Sequence, residues 1–186
     1  MTGHPLVPKY AFLTKGIGRH REKLASFEEA LRNAGIAPFN IVKVSSIFPP
    51  GCELIDREEG IRMLHPGEIV FCVLSENATN EPGRHIVASV GLAVPADRDL
   101  YGYISEHHAF GQSEEDAGEY AEDLAAAMLA TTLGLDFDPE RNWDEQLDAY
   151  RMSGKIVISR NITQWAEGDP RGYWTTVVAG VIFIIR

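Results

Sequence analysis

Cysteine is scarce in this chain: there are two, Cys52 and Cys72, and no paired C-x-x-C spacing. That excludes a zinc ribbon and a dithiol redox motif, and leaves buried thiols in a reducing, cytoplasmic setting as the expectation. Long apolar runs are missing too. The longest, Val177 to Ile185, is nine residues, far short of the roughly 20 that a membrane-spanning helix needs. Met1 to Lys9 contains His4, Pro5 and Pro8 and no apolar core, so no secretory leader is expected. The matches Asn77-Ala78-Thr79 and Asn161-Ile162-Thr163 therefore carry no meaning as glycosylation sites. Positive charge is also short, with 17 Lys and Arg against 27 Asp and Glu, for a net charge of −10 and no basic run. This argues against nucleic acid and anionic membranes as partners and suits a cationic small molecule.

What is present suits one domain with one sizeable core: 186 residues, 45% hydrophobic and 24% charged. Tyr10 to Thr14 reads as a first strand and Lys15 to Arg21, with Gly16 and Gly18, as a loop. Gly-Ile-Gly-Arg lacks the Lys-Ser/Thr of a phosphate cradle. Glu22 to Ala34 has helical spacing at Leu24, Phe27, Leu31 and Ala34. Asn40 to Val44 is a strand, and Leu54 to Pro66 an irregular connection. Ile69 to Leu74, His85 to Val94 and Leu100 to His107 are three more strands. Ser113 caps a long helix with Glu114, Glu115 and Asp116 in its first turn and Ala117, Tyr120, Ala121, Leu124 and Met128 on its apolar side. The polar stretch 136–153 has the character of an insertion, with a short surface helix expected around Trp143 to Tyr150. Lys155 to Thr163 and Tyr173 to Ile185 close the fold. Strands apolar on both faces sit between layers. The expected class is therefore α+β, a layered αββα sandwich of mostly antiparallel sheets with helices outside.

Asn40 to Gly51 reads Asn-Ile-Val-Lys-Val-Ser-Ser-Ile-Phe-Pro-Pro-Gly. A β-branched run ends in two hydroxyls and then meets a rigid turn, since Pro49 and Pro50 fix their own φ and restrict the residue before each. The chemistry this permits is self-cleavage: Ser46 attacks the Ser45 carbonyl, and ester formation, β-elimination and hydrolysis leave a pyruvoyl group at residue 46. A bare Ser-Ser pair, however, also fits an ordinary strand end.

The segment resembles the processing site of the pyruvoyl-dependent arginine decarboxylases: Asn, a short apolar run, Ser-Ser, an apolar pair and Pro-Pro. Three more blocks fit in order: Phe27 to Ile36, Val87 to Pro95, and Tyr101-Gly102-Tyr103-Ile104-Ser105-Glu106. The likeness covers roughly residues 24–133, and the C-terminal strands loosely. It implies a domain of residues 1–186 cut into 1–45 and 46–186. It implies decarboxylation of L-arginine to agmatine, with a pyruvoyl group from Ser46 as electron sink and neither metal nor pyridoxal phosphate. It further implies a homotrimer, or a dimer of trimers, with sites at subunit interfaces.

Within that frame Glu106 matches the family glutamate that would protonate Cα. Asn40 matches an asparagine near the pyruvoyl group, able to polarise the Ser45 carbonyl or orient the substrate carboxylate. Glu28 stands where the family has a shorter aspartate, and would hold the guanidinium. His107 and His108, adjacent on a strand, point to opposite faces and cannot easily chelate one ion. Two alternatives stay open: a pyruvoyl enzyme for histidine or aspartate, and an uncleaved, non-catalytic homologue.

Overall fold

The computed structural model describes residues 6–144, 149–152 and 155–186. Two sheets stack face to face. The first runs β2 (Asn40–Lys43), β5 (Ile69–Thr79), β11 (Trp174–Ile184), β1 (Tyr10–His20), β4 (Glu53–Leu54). The second runs β3 (Ile47–Phe48), β7 (Gly102–Phe110), β6 (His85–Pro95), β10 (Lys155–Glu167), β9 (Ala149–Met152), β8 (Trp143–Asp144). Pairing is antiparallel except where β2 joins β5 and β4 joins β1. Val73, Val181 and Phe183 from the first sheet meet Val90, Leu92 and Ile104 from the second. Outside the first sheet lie α1 (Lys23–Asn33) and α2 (Arg57–Met63), and outside the second lies α3 (Glu114–Leu133). This is the expected αββα sandwich. In β11 every residue after Trp174 is buried, as its two apolar faces require.

Four local expectations are corrected. The strand expected over Tyr10 to Thr14 runs on to His20, through the supposed glycine loop, and pairs with β11 over eleven residues. Gly16 and Gly18 are there for close approach: an added Cβ would stand 2.2 Å from the Ala30 carbonyl oxygen at Gly16, and 2.1 Å from that of Ser26 at Gly18. The helix lies directly on bare backbone. The connection 54–66 contains β4 and α2, and Gly60 of α2 packs on the Phe12 ring. Leu24, assigned to the core stripe of α1, is 80% exposed; Ser26 and Ala30 are the buried positions. On α3 the small residues Ala117, Gly118, Ala121 and Ala125 face the sheet, while Tyr120 and Leu124 lie outside.

The fourth correction concerns 136–153. Residues 145–148 of the expected helix lie outside the described residues; at its ends Trp143–Asp144 and Ala149–Met152 form the antiparallel pair β8 and β9, preceded by one helical turn, α4 (Pro139–Asn142), capped by Asp138. Trp143 faces Tyr150 edge to face, with ring centroids 5.1 Å apart. Such a cross-strand aromatic pair contributes about 0.5–1.5 kcal/mol beyond area burial, and it favours strand over helix here.

Candidate active site

The Ser45–Ser46 peptide bond lies where the chain leaves one sheet for the other. The Val44 N–H donates to the Cys72 carbonyl at 2.8 Å, the last tie to the first sheet; the Ile104 N–H donates to the Ser46 carbonyl at 2.7 Å, the first tie to the second. Between these anchors the Ile47 N–H donates to the Ser45 carbonyl oxygen at 3.0 Å. That i to i+2 bond closes a γ-turn about Ser46 and polarises the carbonyl the Ser46 hydroxyl would attack. Neither serine hydroxyl has a hydrogen-bond partner among the described residues.

Downstream the turn is rigid. The Cys52 N–H donates to the Pro49 carbonyl at 3.2 Å, with Pro50 second in the turn and Gly51 third at φ +68°. Proline followed by a positive-φ glycine is the pattern of a type II turn. Arg98 fastens it: its carbonyl accepts from Gly51 N–H at 2.8 Å and its guanidinium donates to the Cys52 carbonyl at 3.0 Å.

Four titratable side chains gather beside this crossing. Glu106, two residues after Ile104, stands in the middle of β7 rather than at the strand end where the sequence reading put it. Its pKa is raised, chiefly by desolvation. Lys43 pulls it down, Glu76 pushes it up, and His108 pulls it down. Lys43, on β2, and Glu76, on β5, form an ion pair at 3.0 Å with both side chains about half exposed. A pair so exposed stabilises by about 0.2–1 kcal/mol, and its two charges act on Glu106 in opposite directions. Sequence reasoning missed Lys43 and Glu76, which are 33 positions apart and meet only through the β2–β5 pairing. Burial pushes the Cys72 thiol, beneath the same cluster, up to about 12; Cys52 is likewise pushed up to about 12. Both are inert thiols.

Glu76 and His108 also line a cleft of about 560 Å³, with Lys23, Leu24 and Phe27 of α1, Phe110 and Thr176. That is the size of a small-molecule site, and it explains why Leu24 is exposed. His107 points the other way, packing on Tyr120 with the rings tilted at 50° and bonding Gln112.

Two sequence candidates sit elsewhere in the single chain. The Asn40 amide donates to the Gly67 carbonyl at 2.8 Å; five residues of extended chain, roughly 16 Å, separate it from Ser45. The donor on the Ser45 carbonyl is Ile47 N–H. Glu28 does not line the cleft. It lies one turn after Leu24, and its two oxygens accept from one Arg32 nitrogen at 2.7 and 2.8 Å.

The profile of the family described as pyruvoyl-dependent arginine decarboxylase matches residues 10–186. The chain belongs to the pyruvoyl-dependent arginine decarboxylase family. It is 58% identical to a "Probable pyruvoyl-dependent arginine decarboxylase" of Chloroherpeton thalassium over 178 residues, 96% of this chain and 98% of that protein. A protein of the same name from Chlorobium limicola is 60% identical over the same shares. The "Pyruvoyl-dependent arginine decarboxylase 2" of Methanosarcina acetivorans is 56% identical over 179 residues, again 96% and 98%.

The residues at the crossing fit the prosthetic group that gives this family its name. A serine with an uncommitted hydroxyl follows a polarised carbonyl. The chain on either side is anchored to a different sheet, so each new end would keep its place.

Proposed function

We propose that this chain decarboxylates L-arginine to agmatine and carbon dioxide, after cutting itself between Ser45 and Ser46 into residues 1–45 and 46–186. The observation that carries the reading is the Ser45–Ser46 bond suspended between two sheets, its carbonyl polarised by Ile47 and Glu106 nearby. Relatives 56–60% identical over nearly their whole length bear the activity in their names.

In the cleavage, Ser46 Oγ attacks the Ser45 carbonyl carbon, and the Ile47 N–H stabilises charge building on the oxygen. The acyl group passes from nitrogen to oxygen, turning amide into ester. Loss of the Cα proton of residue 46 expels the Ser45 carboxylate, and the dehydroalanine left behind takes up one water and releases one ammonia. Once formed, the pyruvoyl carbonyl supplies an electron sink for substrate charge.

The other residues bind, hold protons and tune. Glu106 keeps its proton to higher pH than an ordinary carboxyl and delivers it to the substrate Cα. Glu28, outside its own chain's cleft, takes the guanidinium in the site of a neighbouring copy; it already grips that of Arg32, which a substrate can replace. Asn40, distant from its own Ser45, serves the site of a neighbouring copy in a homotrimer, stacked or single. Exposed Val42, Val44, Ile47 and Ile69 around the crossing give that copy an apolar seat. Two free, buried cysteines suit the cytoplasm.

The test is carbon dioxide release by the processed protein with arginine, lysine, histidine and aspartate. Arginine is expected to be best, and lysine poor because it offers only a point charge. A different best substrate overturns the arginine assignment and leaves the pyruvoyl chemistry standing; no release from any of them overturns both.

A further inference from the structure

A second cleft, about 1130 Å³, opens on the far side of the second sheet, between α3 and the strands that follow α4. It contains none of Ser45, Ser46 or Glu106. Among the described residues six carboxylates line it, Glu114, Glu115, Glu119, Glu122, Asp123 and Glu140, against one cation, Arg160, whose guanidinium is held by the Ser159 carbonyl at 2.9 Å. The first turn of α3 explains part of this: Glu114 binds Lys15 at 3.1 Å, and an acidic first turn favours the helix dipole. Glu119, Glu122 and Asp123 lie beyond that turn, where the dipole gives no reason for them. The cleft's field is felt by Tyr150, whose hydroxyl donates to Asp123. Burial, that bond and the charges of Asp123, Glu122 and Glu119 all raise its pKa.

The independent observation is at the floor. Val157, Ser159 and Asn161 alternate onto the face of β10 that meets α3. Val157 is in the core beneath α3, and the Asn161 amide donates to Glu122 at 2.5 Å. Ser159 stands between them, 2% exposed and lining the cleft, and its Oγ has no hydrogen-bond partner among the described residues. A buried hydroxyl left unpaired is unfavourable, and a ligand N–H would satisfy it.

We propose that this cleft binds a linear aliphatic polyamine. Among the described residues no three His, Cys, Asp or Glu side chains could hold one metal ion, so the carboxylates are too dispersed for a compact cation. They suit an extended one. Glu115, Glu119 and Asp123 repeat at one helical turn, roughly 5–6 Å apart, over about 12 Å, the reach of a linear triamine whose amines are separated by short methylene spacers. Trp143, 39% exposed on the cleft wall, offers a π face to an ammonium. The segment 136–153 thereby acquires a role: it supplies Glu140, Trp143 and Tyr150.

Isothermal titration of the full, processed protein with spermidine tests this, with agmatine and magnesium chloride at matched ionic strength as separate arms. Spermidine is expected to bind once per chain, and Glu119→Gln to weaken it at least tenfold with an unchanged melting temperature. Ser159→Val, which fills the floor, should weaken it similarly. Agmatine binding as tightly as spermidine, and lost in the same variants, would make the ligand the short dication released by the chain's own reaction and would still support the site. No binding at millimolar spermidine, equal displacement by magnesium, or undiminished affinity in Glu119→Gln overturns the proposal. Glu119 is exposed on α3, so that variant stays informative if Ser159→Val does not fold.

Discussion

β1 and β11 pair over eleven residues, Tyr10 with Ile184 through His20 with Trp174, whereas the chain between β2 and β3 is tied by single bonds to Cys72, to Ile104 and within its own γ-turn. One region is built to hold, and the other is where the proposed reaction would cut. β1 carries residues 10–20 into the heart of the first sheet, next to β11, and α1 lies directly on its glycines. A break after Ser45 leaves the β1–β11 ladder untouched. The ladder that retains residues 1–45 lies more than twenty positions upstream, and each new end is fastened separately.

Removing the attacking hydroxyl breaks the comparison most severely. Ser46→Ala should leave the chain whole and abolish decarboxylation, since the proposed reaction takes both the cut and the electron sink from that side chain; denaturing mass spectrometry and a carbon dioxide assay read the two together. Glu106→Gln should cut normally and lose about 10²–10⁴-fold in turnover, with processing checked in the same sample. The raised pKa of Glu106 gives this a pH signature. The protonated form is the donor, so activity falls as pH rises through that pKa, above the usual carboxyl range. Lys43 lowers the pKa and Glu76 raises it, so Lys43→Met should move the fall to higher pH and Glu76→Gln to lower pH. Identical profiles would detach Glu106 from the limb.

The retaining side is sharpened by Gly18→Ala. Its Cβ would meet the Ser26 carbonyl, and overpacking of this kind costs about 1–3 kcal/mol, read as a lower midpoint in chemical denaturation of the Ser46→Ala background. In the cut protein the same change should let the small fragment escape more readily. The smallest effect is expected at Glu28. Its side chain is about half exposed, so Glu28→Gln should raise KM for arginine by roughly tenfold, about 1.4 kcal/mol, without touching cleavage. An unchanged KM gives the guanidinium to another carboxylate.

The contrast also explains what could be read from the sequence. The layer order was legible because β11 is apolar on both faces, and the proposed cut site stands out because two serines meet two prolines within a few residues. Gly16 and Gly18 misled: glycine marks a turn and a bare strand under a helix alike, and only the position of Ala30 and Ser26 tells them apart. Leu24 kept helical spacing yet lines a cleft, because periodicity locates an apolar face and not what covers it. Lys43 and Glu76 were invisible for a different reason, since a parallel register is set by tertiary packing and leaves no local signal. Trp143 and Tyr150 stood in a polar stretch that reads as helix until the two rings are seen to face each other.

The most direct test is to weigh the same sample twice, once denatured and once native. The account predicts two fragments under denaturing conditions, residues 1–45 and 46–186, the larger blocked to N-terminal sequencing, and one inseparable species under native conditions. A single intact chain after prolonged incubation of folded protein contradicts the cut, and fragments that part without denaturant contradict the claim that β1 holds them together.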